Sequence, residues 1–343
     1  MARETYRKKI TTPELIGQIN PENQKLIDRF LKNFATKSSP NSVVNYRSNL
    51  NIFMCWNVQH NDNKFFIDLR KLELMDFFDY CVTELKWSSN RYAQMHSCLS
   101  SFSAWIENFY DDVYENYRNL LPKIPKIPKE PVRKKSVFTM EEIYELMDIL
   151  EKEGRVQEQC LLALLISSGA RASELGRFTV DIIDENNTAF DDLFLETTDE
   201  IRVKGRGTNG KSLIRYILKD TFLPYYKKWL PLREEIMKQN NQNHNYIFIN
   251  KNGTPAKLSL FKGWVERWGT HMNKPLYLHA FRHLYCTWLI KMGLEQDLVQ
   301  SIIGWTSLDM VAIYNDATAK ERKWKGLSKL KDALGKQEVD VNG

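Results

Sequence analysis

The segment SSGARASEL occupies residues 167–175 and follows an apolar run, CLLALLI, at residues 160–166. That run predicts a buried helix over residues 157–167. Arg171 therefore stands at the end of a buried helix, where a charged side chain needs an acidic partner, a carbonyl group or a bound anion. Glu174 is one helical turn away and could form a structural ion pair with Arg171. This segment alone leaves the ion pair and the bound anion both open.

A second polar motif, HAFRH, lies at residues 279–283. His279 and Arg282 are three residues apart, so the helix predicted over residues 279–292 would place them on one side. Together they suit a phosphate group, because arginine offers a planar fork of donors and the imidazole adds one more. His279 and His283 also resemble half of a zinc site. A third ligand at a recognisable spacing is missing, however, and we therefore predict no metal site.

A glycine-rich turn interrupts the segment EIRVKGRGTNGKSLIRYILK at residues 200–219. β-Prone residues flank the turn on both sides, which predicts a hairpin with Lys204 at its tip. A lysine in that position is either an exposed charge or a mobile proton donor that reaches into a cleft. Arg206, Lys211 and Arg215 are nearby alternatives for the same role.

The segment IGWTSLDMVAIY at residues 303–314 is the fourth candidate, and it follows a short helix predicted over residues 295–303. Trp305 and Tyr314 would ordinarily be core aromatic residues. The chain has 15 tyrosines, so nothing in the composition distinguishes Tyr314 from the others.

In chain order, six residues of these segments resemble the catalytic set of the tyrosine recombinase (phage integrase) family: Arg171, Lys204, His279, Arg282, Trp305 and Tyr314. The sequence around them is similar too. SSGARASELGRF resembles the family's segment around its first arginine, and HAFRHLYCTWLIKMG resembles its HxxR helix. DLVQSIIGWTSLDMVAIY resembles its last motif. The resemblance covers residues 139–318, and residues 20–112 are more loosely similar to the family's helical core-binding domain.

The resemblance implies a site-specific DNA recombinase of the integrase or transposase type. Such an enzyme cleaves and rejoins DNA through a 3′-phosphotyrosine intermediate and a Holliday junction, and it needs no metal, ATP or other cofactor. Tyr314 would be the nucleophile, with Tyr285 or Tyr277 as the next candidates. Trp305 stands where the family more often has histidine, and an indole N–H donates a hydrogen bond but cannot shuttle a proton.

The other site residues take roles that the same resemblance implies. Arg171 and Arg282 would each present a planar fork to the non-bridging oxygens of the phosphate. Lys204 would protonate the leaving 5′ oxygen, although Lys211 remains an alternative. His279 would assist Tyr314 or bond the phosphate, Trp305 would complete the cage, and Glu174 would support Arg171.

The fold class expected is mainly α, with a small β-sheet in an α+β catalytic domain and a separate all-α N-terminal domain. We predict a helical core-binding (SAM-like) domain over residues 1–121, a basic Pro-rich linker over 122–136 and a catalytic domain over 137–318. Prolines recur at every third linker residue from Pro122, which is the period of the extended polyproline II helix. Residues 319–343 form a C-terminal tail that packs on its own domain or, as we favour, docks on a neighbouring protomer.

Two boundaries have local signals of their own. Thr139 and Glu142 have the spacing of a capping box, which predicts the first helix of the catalytic domain. In the N-terminal domain, Pro21 begins a pattern of about four amphipathic helices that extends to residue 117. Polar or basic residues at helix starts, in the linker and in the hairpin are the expected DNA contacts: Lys37, Tyr46, Arg47, Asn90, Arg91, Arg133, Lys134, Lys135, Arg206 and Lys211.

The composition is compatible with a nucleic-acid partner but does not require one. The 343 residues carry a formal net charge of +6, which many proteins that do not bind DNA also reach. Five cysteines without a CxxC pair indicate buried or free thiols in a reducing compartment. The N-terminus has no apolar signal region, and no stretch reaches the roughly 18 apolar residues that span a bilayer. We therefore expect a cytoplasmic, nucleoid-associated protein.

The expected partners are double-stranded DNA with specific core sites, three further copies of the chain in a synaptic homo-tetramer, and an accessory directionality factor. Two other functions remain open. One is a DNA-binding regulator that has this fold without catalysis, and the other is a type IB topoisomerase, which uses similar arginine, lysine and tyrosine chemistry.

Overall fold

The computed structural model describes residues 10–128, 138–203 and 211–305. The chain divides into two compact units. The described part of the first unit is residues 10–128, and that of the second is residues 138–203 and 211–305. Both units are built mainly from helices, and the small β-sheets lie in the second unit, as the sequence predicts.

The described part of the first unit contains the four amphipathic helices that the sequence predicts and one short helix before them. The bounds are α1 (Pro13–Gln18), α2 (Pro21–Ala35), α3 (Pro40–His60), α4 (Lys71–Thr83) and α5 (Ser89–Phe109). Local chemistry explains the starts, because proline stands first in α1, α2 and α3 and polar side chains cap their N-termini. The core is rich in aromatic residues, with Phe53, Phe77 and Phe102 fully buried.

The start of the predicted linker belongs to the first unit. Residues Leu121–Lys123 form a 3-10 turn, and Ile124 is buried in the core of this unit. The Tyr92 hydroxyl donates to the Pro125 carbonyl at 2.6 Å, and the ring of His96 donates to the Leu121 carbonyl at 3.0 Å. The expected polyproline spacer is therefore wrong at its first residues, because apolar side chains between the prolines bury themselves against α5.

The second unit contains six helices among the described residues. They are α6 (Met140–Lys152), α7 (Val156–Ser168), α8 (Lys219–Gln239), α9 (Leu258–His271), α10 (Leu278–Lys291) and α11 (Gln296–Ile303). The predicted capping box is present at the start of α6: Glu142 N–H donates to Thr139 Oγ1 and Thr139 N–H donates to a Glu142 carboxylate oxygen. Helix α7 is buried over almost its whole length and packs against α8 and α10.

Helix α8 is the longest described element that the sequence patterns did not predict. It contains Pro224 and Pro231, which lack a backbone donor and ordinarily break a helix interior. Both prolines face solvent, where water can satisfy the carbonyls that lose their partners. Phe222, Tyr226 and Trp229 are buried on the opposite side, and their packing outweighs the unfavourable helix propensity.

Among the described residues, five short strands form two antiparallel sheets. The strands are β1 (Thr188–Ala189), β2 (Phe194–Glu196), β3 (Ile201–Val203), β4 (Lys211–Leu213) and β5 (Tyr216–Leu218). Strands β3 and β4 pair with each other and form the predicted hairpin, with Val203 opposite Lys211. Strand β5 instead pairs with β2 in the sheet of order β1-β2-β5. The chain therefore passes from one sheet to the other at residues 214 and 215.

All five cysteines are buried and free, in agreement with the sequence prediction. Across residues 10–128, 138–203 and 211–305, we find no helix with the length and apolar character needed to cross a bilayer.

Candidate active site

Two helices end side by side at a pair of glycines in the second unit. Helix α7 ends at Gly169 with φ of 56°, and helix α11 ends at Gly304 with φ of 73°. A Cβ atom on Gly169 would lie 2.5 Å from Tyr285 Cδ1, and one on Gly304 would lie 2.3 Å from Leu213 Cδ1. Both positions therefore require glycine, for the left-handed backbone and for the close approach. The C-terminal carbonyls of both helices are directed into the same region.

Buried arginines occupy the space between these two helix ends. Arg282 has no exposed surface; its Nη1 donates to the Gly169 carbonyl at 2.6 Å and its Nη2 to the Ile303 carbonyl at 3.2 Å. Arg215 is equally buried and donates to the Ser168 carbonyl at 2.9 Å and to the Ile303 carbonyl at 3.1 Å. Helix C-termini carry partial negative charge, which stabilises cations at these positions.

Arg171 and Glu174 form the ion pair that the sequence suggests. Arg171 Nη1 lies 3.0 Å from Glu174 Oε1, and the other carboxylate oxygen accepts the Arg171 backbone N–H at 3.0 Å. The second oxygen also lies 3.7 Å from Arg215 Nη2. Glu174 is fully buried, whereas the Arg171 side chain keeps a fifth of its surface exposed. Glu174 thus orients Arg171 without removing it from solvent.

Positive charge is in excess in this cluster. Within the described residues it contains three guanidinium groups and one carboxylate, that of Glu174. Burial, and then the charge of Arg171, lower the pKa of Arg282 to about 10, so Arg282 still carries its charge at neutral pH. An uncompensated buried cation is costly, and an anion with several oxygens would relieve that cost.

His279 lies one helical turn before Arg282 on α10 and is exposed to solvent. Desolvation, followed by the charges of Arg282 and Arg171, lowers the pKa of His279 below its ordinary value. The neutral form of the imidazole is therefore favoured, and in that form one ring nitrogen can accept a proton while the other donates a hydrogen bond. The His283 ring packs edge-on at 4.8 Å between centroids. Among the residues that the structure describes, no group of three or more His, Cys, Asp or Glu side chains could hold a metal ion.

Trp305 is buried beside the arginines. Its ring lies 5.4 Å from the Arg282 guanidinium carbon, and its backbone N–H donates to the Gln300 carbonyl at 3.0 Å. The ring thus covers one face of a buried cation, a favourable arrangement for an indole. In this structure carbonyls accept hydrogen bonds from both Nη atoms of Arg282, and no part of its side chain reaches solvent.

Two members of the predicted set, Lys204 and Tyr314, lie outside the described residues, and so does Arg206. Lys211 is exposed on β4, opposite the residue that precedes Lys204. The alternative nucleophile Tyr285 is 1% exposed, and burial raises the pKa of its hydroxyl strongly. A buried tyrosine of that kind cannot act as a nucleophile on DNA.

Arg215 is the functional candidate that sequence reasoning misread. The sequence offers it as an alternative to Lys204 for the mobile proton donor, but the structure buries it completely. Its flanking residues, Ile214 and Tyr216, were the available signal, because a charge within an apolar stretch needs buried partners. The carbonyl partners at Ser168 and Ile303 are remote in sequence and could not be foreseen.

The expected DNA contacts of the first unit fall into two groups. Lys37, Arg47 and Asn90 are exposed, and Arg47 pairs with Asp28 at 2.9 Å. The Tyr46 ring is half-buried and stacks on a neighbouring phenylalanine.

Arg91 is also half-buried. Its guanidinium lies 4.4 Å from the Trp87 ring and donates to Asn49 Oδ1 at 2.7 Å. Three expected contacts in the linker lie outside the described residues: Arg133, Lys134 and Lys135.

Comparison with known proteins identifies the class to which this helical fold belongs. Residues 136–321 match the profile of the phage integrase family. The tyrosine recombinase XerC of Psychromonas ingrahamii is 26% identical over 298 residues, which cover 85% of this chain and 91% of the relative. A tyrosine recombinase of Thermosipho africanus is 26% identical over 241 residues, covering 68% of this chain and 74% of the relative.

Solved structures have the same fold. The XerH site-specific recombinase, in a post-cleavage complex with its palindromic difH substrate, aligns with a TM-score of 0.63 at 17% identity, covering 91% of this chain and 98% of that one. A lambda integrase dimer bound to a core site aligns with a TM-score of 0.62 at 15% identity, covering 85% and 94%. The chain belongs to the phage integrase family of tyrosine recombinases.

Proposed function

We propose that this chain is a site-specific DNA recombinase that cleaves and rejoins DNA through a covalent bond to Tyr314. The observation that carries the proposal is the excess of positive charge where α7 and α11 end, formed by Arg171, Arg215 and Arg282 against the single carboxylate of Glu174. A phosphodiester in its transition state gains negative charge on the non-bridging oxygens, and fixed guanidinium groups stabilise that charge without a metal.

The arginines have unequal access to a phosphate. Arg171 is the member that already reaches solvent, so it can contact a non-bridging oxygen directly. Arg282 is covered by the Trp305 ring and by two backbone carbonyls. For Arg282 to contact the second oxygen, Trp305 must shift when DNA binds, and its indole N–H can then donate to the phosphate as well.

The proposed chemistry is two successive transesterifications. The Tyr314 oxygen attacks the scissile phosphorus, the bond from phosphorus to the 5′ oxygen breaks, and that oxygen takes up a proton. The 5′ hydroxyl of the partner DNA then attacks the phosphotyrosine and releases Tyr314. Each step exchanges one phosphodiester for another, so no ATP is consumed. Neutral His279 accepts the tyrosine proton or bonds the phosphate.

Lys204 is the proposed donor of the proton to the leaving oxygen. A lysine needs a lowered pKa for this task, and nearby guanidinium charges would lower it. Lys211 is the alternative, because it lies on the same hairpin and is exposed.

Double-stranded DNA with specific core sites is the proposed substrate. The XerH and lambda integrase structures with the same fold are complexes with DNA sites, which supports this choice. The helical first unit would act as the core-binding domain and the second as the catalytic domain, with the basic linker along the DNA backbone. The working assembly would be a homo-tetramer in which the tail at residues 319–343 docks on a neighbour. An accessory factor for directionality and association with the nucleoid complete the proposal.

Footprinting and suicide-substrate trapping on DNA from the chain's own locus test this function. We expect a footprint at paired core sites and a covalent 3′ adduct at defined positions within them. Plasmid relaxation without a specific site would indicate a type IB topoisomerase instead. A footprint without any adduct would indicate a regulator that binds DNA without cleaving it.

A further inference from the structure

The backbone of Arg215 is fixed on both sides at the point where the chain passes between the two sheets. Its N–H donates to Thr197 Oγ1 at 3.0 Å, and its carbonyl accepts the Thr197 N–H at 3.0 Å. Thr197 is itself buried. The side chain therefore leaves the sheet from a rigid position.

The guanidinium of Arg215 contacts or adjoins the groups that hold the two proposed phosphate-binding arginines. Ile303 shares its carbonyl between Arg215 and Arg282. Ser168, the second carbonyl partner of Arg215, directly precedes Gly169, whose carbonyl holds Arg282. The Glu174 carboxylate lies 3.7 Å from Arg215 Nη2, and the same carboxylate pairs with Arg171.

Folding alone does not require an arginine with this set of partners. Burying a full charge is costly, and apolar side chains of similar volume usually hold helix ends together at least as well. Arg233 in the same unit illustrates a purely structural arginine. It is 2% exposed, donates to the Tyr246 and His244 carbonyls and pairs with Glu234, and these partners lie outside the described part of the candidate site.

We propose that Arg215 is a positioning residue for the reaction, a buried hub that sets the spacing between Arg171 and Arg282. This proposal rests on the proposed function. Arg215 is too deeply buried to meet the phosphate itself; it holds the end of α7, the end of α11 and Glu174 in one arrangement. It also adds a positive charge behind the two arginines that contact DNA.

The test compares Arg215→Lys with the matched control Arg233→Lys in the full-length chain. Both variants lose stability, so cleavage is measured at a temperature where both remain folded. The substrates are suicide DNAs with a single Rp or Sp phosphorothioate at the scissile phosphate, in which sulfur replaces one or the other non-bridging oxygen. We expect Arg215→Lys to cleave at least tenfold more slowly and to move the Rp/Sp rate ratio at least threefold towards one. Arg233→Lys should leave both values unchanged.

A gentler variant keeps the test decisive if Arg215→Lys folds poorly. Thr197→Val removes the acceptor that fixes the Arg215 backbone while nearly conserving volume, and it should shift the rate and the Rp/Sp ratio in the same direction by a smaller factor. An unchanged ratio in a folded Arg215 or Thr197 variant would overturn the positioning role. An equal change in Arg233→Lys would overturn it too, because general destabilisation would then explain the effect.

Hydrogen exchange separates failure of this proposal from failure of the proposed function. Arg215→Lys should speed exchange of the amides around residues 165–171 and 300–305, whereas Arg233→Lys should act around residues 237–247. Unchanged exchange at the ends of both α7 and α11 would contradict the positioning role of Arg215, whether or not the chain cleaves DNA. If the unaltered chain forms no adduct, the proposed function fails, and the role of Arg215 in that reaction fails with it even if exchange responds.

Discussion

Gly304 joins the end of α11 to Trp305 in a conformation that other residues rarely adopt. Gly304→Ala should destabilise the chain by about 2 kcal/mol or more, because it combines left-handed strain with a contact at 2.3 Å to Leu213. Cleavage should fall further than stability, since the Ile303 carbonyl and Trp305 would both move. Thermal unfolding and adduct formation measure the two effects.

The matched control for this substitution is Gly263→Ala within α9. Nothing lies within 4 Å of a Cβ atom at Gly263, so alanine there should stabilise the helix by about 0.5 to 1 kcal/mol and leave cleavage unchanged. A Gly304→Ala chain with unaltered stability would contradict the close packing of α11 against the hairpin.

Lys204 and Lys211 are distinguished by a substrate that needs no acid. With sulfur in place of the leaving 5′ oxygen, the leaving group departs as a thiolate without protonation. We expect Lys204→Ala to cleave ordinary DNA poorly and to recover on the sulfur substrate, while Lys211→Ala behaves alike on both. Recovery of the Lys211 variant alone would reassign the proton donor.

At the residue scale, the sequence predicted which residues form the candidate active site, but it did not predict which groups hold their side chains in place. Arg171 with Glu174 and His279 with Arg282 have local spacings, so their proximity could be foreseen. The hydrogen bonds of Arg282 go to carbonyls at the ends of two separate helices, α7 and α11. No local sequence pattern could have predicted these partners. Arg215 was misread for the same reason.

At the scale of secondary-structure elements, a histidine side chain on α5 that can titrate holds the segment that follows this helix. His96 is 4% exposed and binds the Leu121 carbonyl, and desolvation lowers the pKa of this histidine below its ordinary value. The unfolded chain therefore binds a proton at higher pH than the folded one does. The free energy of unfolding should therefore fall as the pH drops from about 6.5 to the folded-state pKa of His96. Below that pKa, protonation of His96 lowers the free energy of unfolding no further.

The corresponding measurement is thermal unfolding between pH 7.5 and pH 5, roughly the range over which histidine titrates. His96→Gln should weaken the pH dependence of the midpoint. Equal pH dependence in the variant and the unaltered chain would rule out His96 as the group that titrates.

Helices with a clear amphipathic pattern could be predicted from the sequence to within a few residues, as α2 and α10 illustrate. Helix α8 could not, because its two prolines are local signals against a helix and only its packing on α7 overrides them. For the segment from Pro122 the local signal also misled, because the regular prolines predicted an isolated spacer. Ile124 is instead buried in the core of the first unit.

At the scale of the whole molecule, the tail at residues 319–343 stays a prediction, since it lies outside the described residues. Deleting it should impair pairing of two DNA sites at least several-fold more than binding to a single site, because a docking tail acts between protomers. Gel-shift titrations on one-site and two-site DNA compare the two. Equal loss of both activities would indicate that the tail packs on its own domain.

The central claim is that Tyr314 becomes joined to DNA, and one measurement tests it directly. Suicide-substrate adducts of the unaltered chain, digested and mapped by mass spectrometry, should carry the 3′ phosphate on Tyr314. Tyr314→Phe should bind the same DNA with similar affinity and form no adduct, while Tyr285→Phe should still form it. An adduct that persists in Tyr314→Phe, or that maps to another residue, would contradict the account.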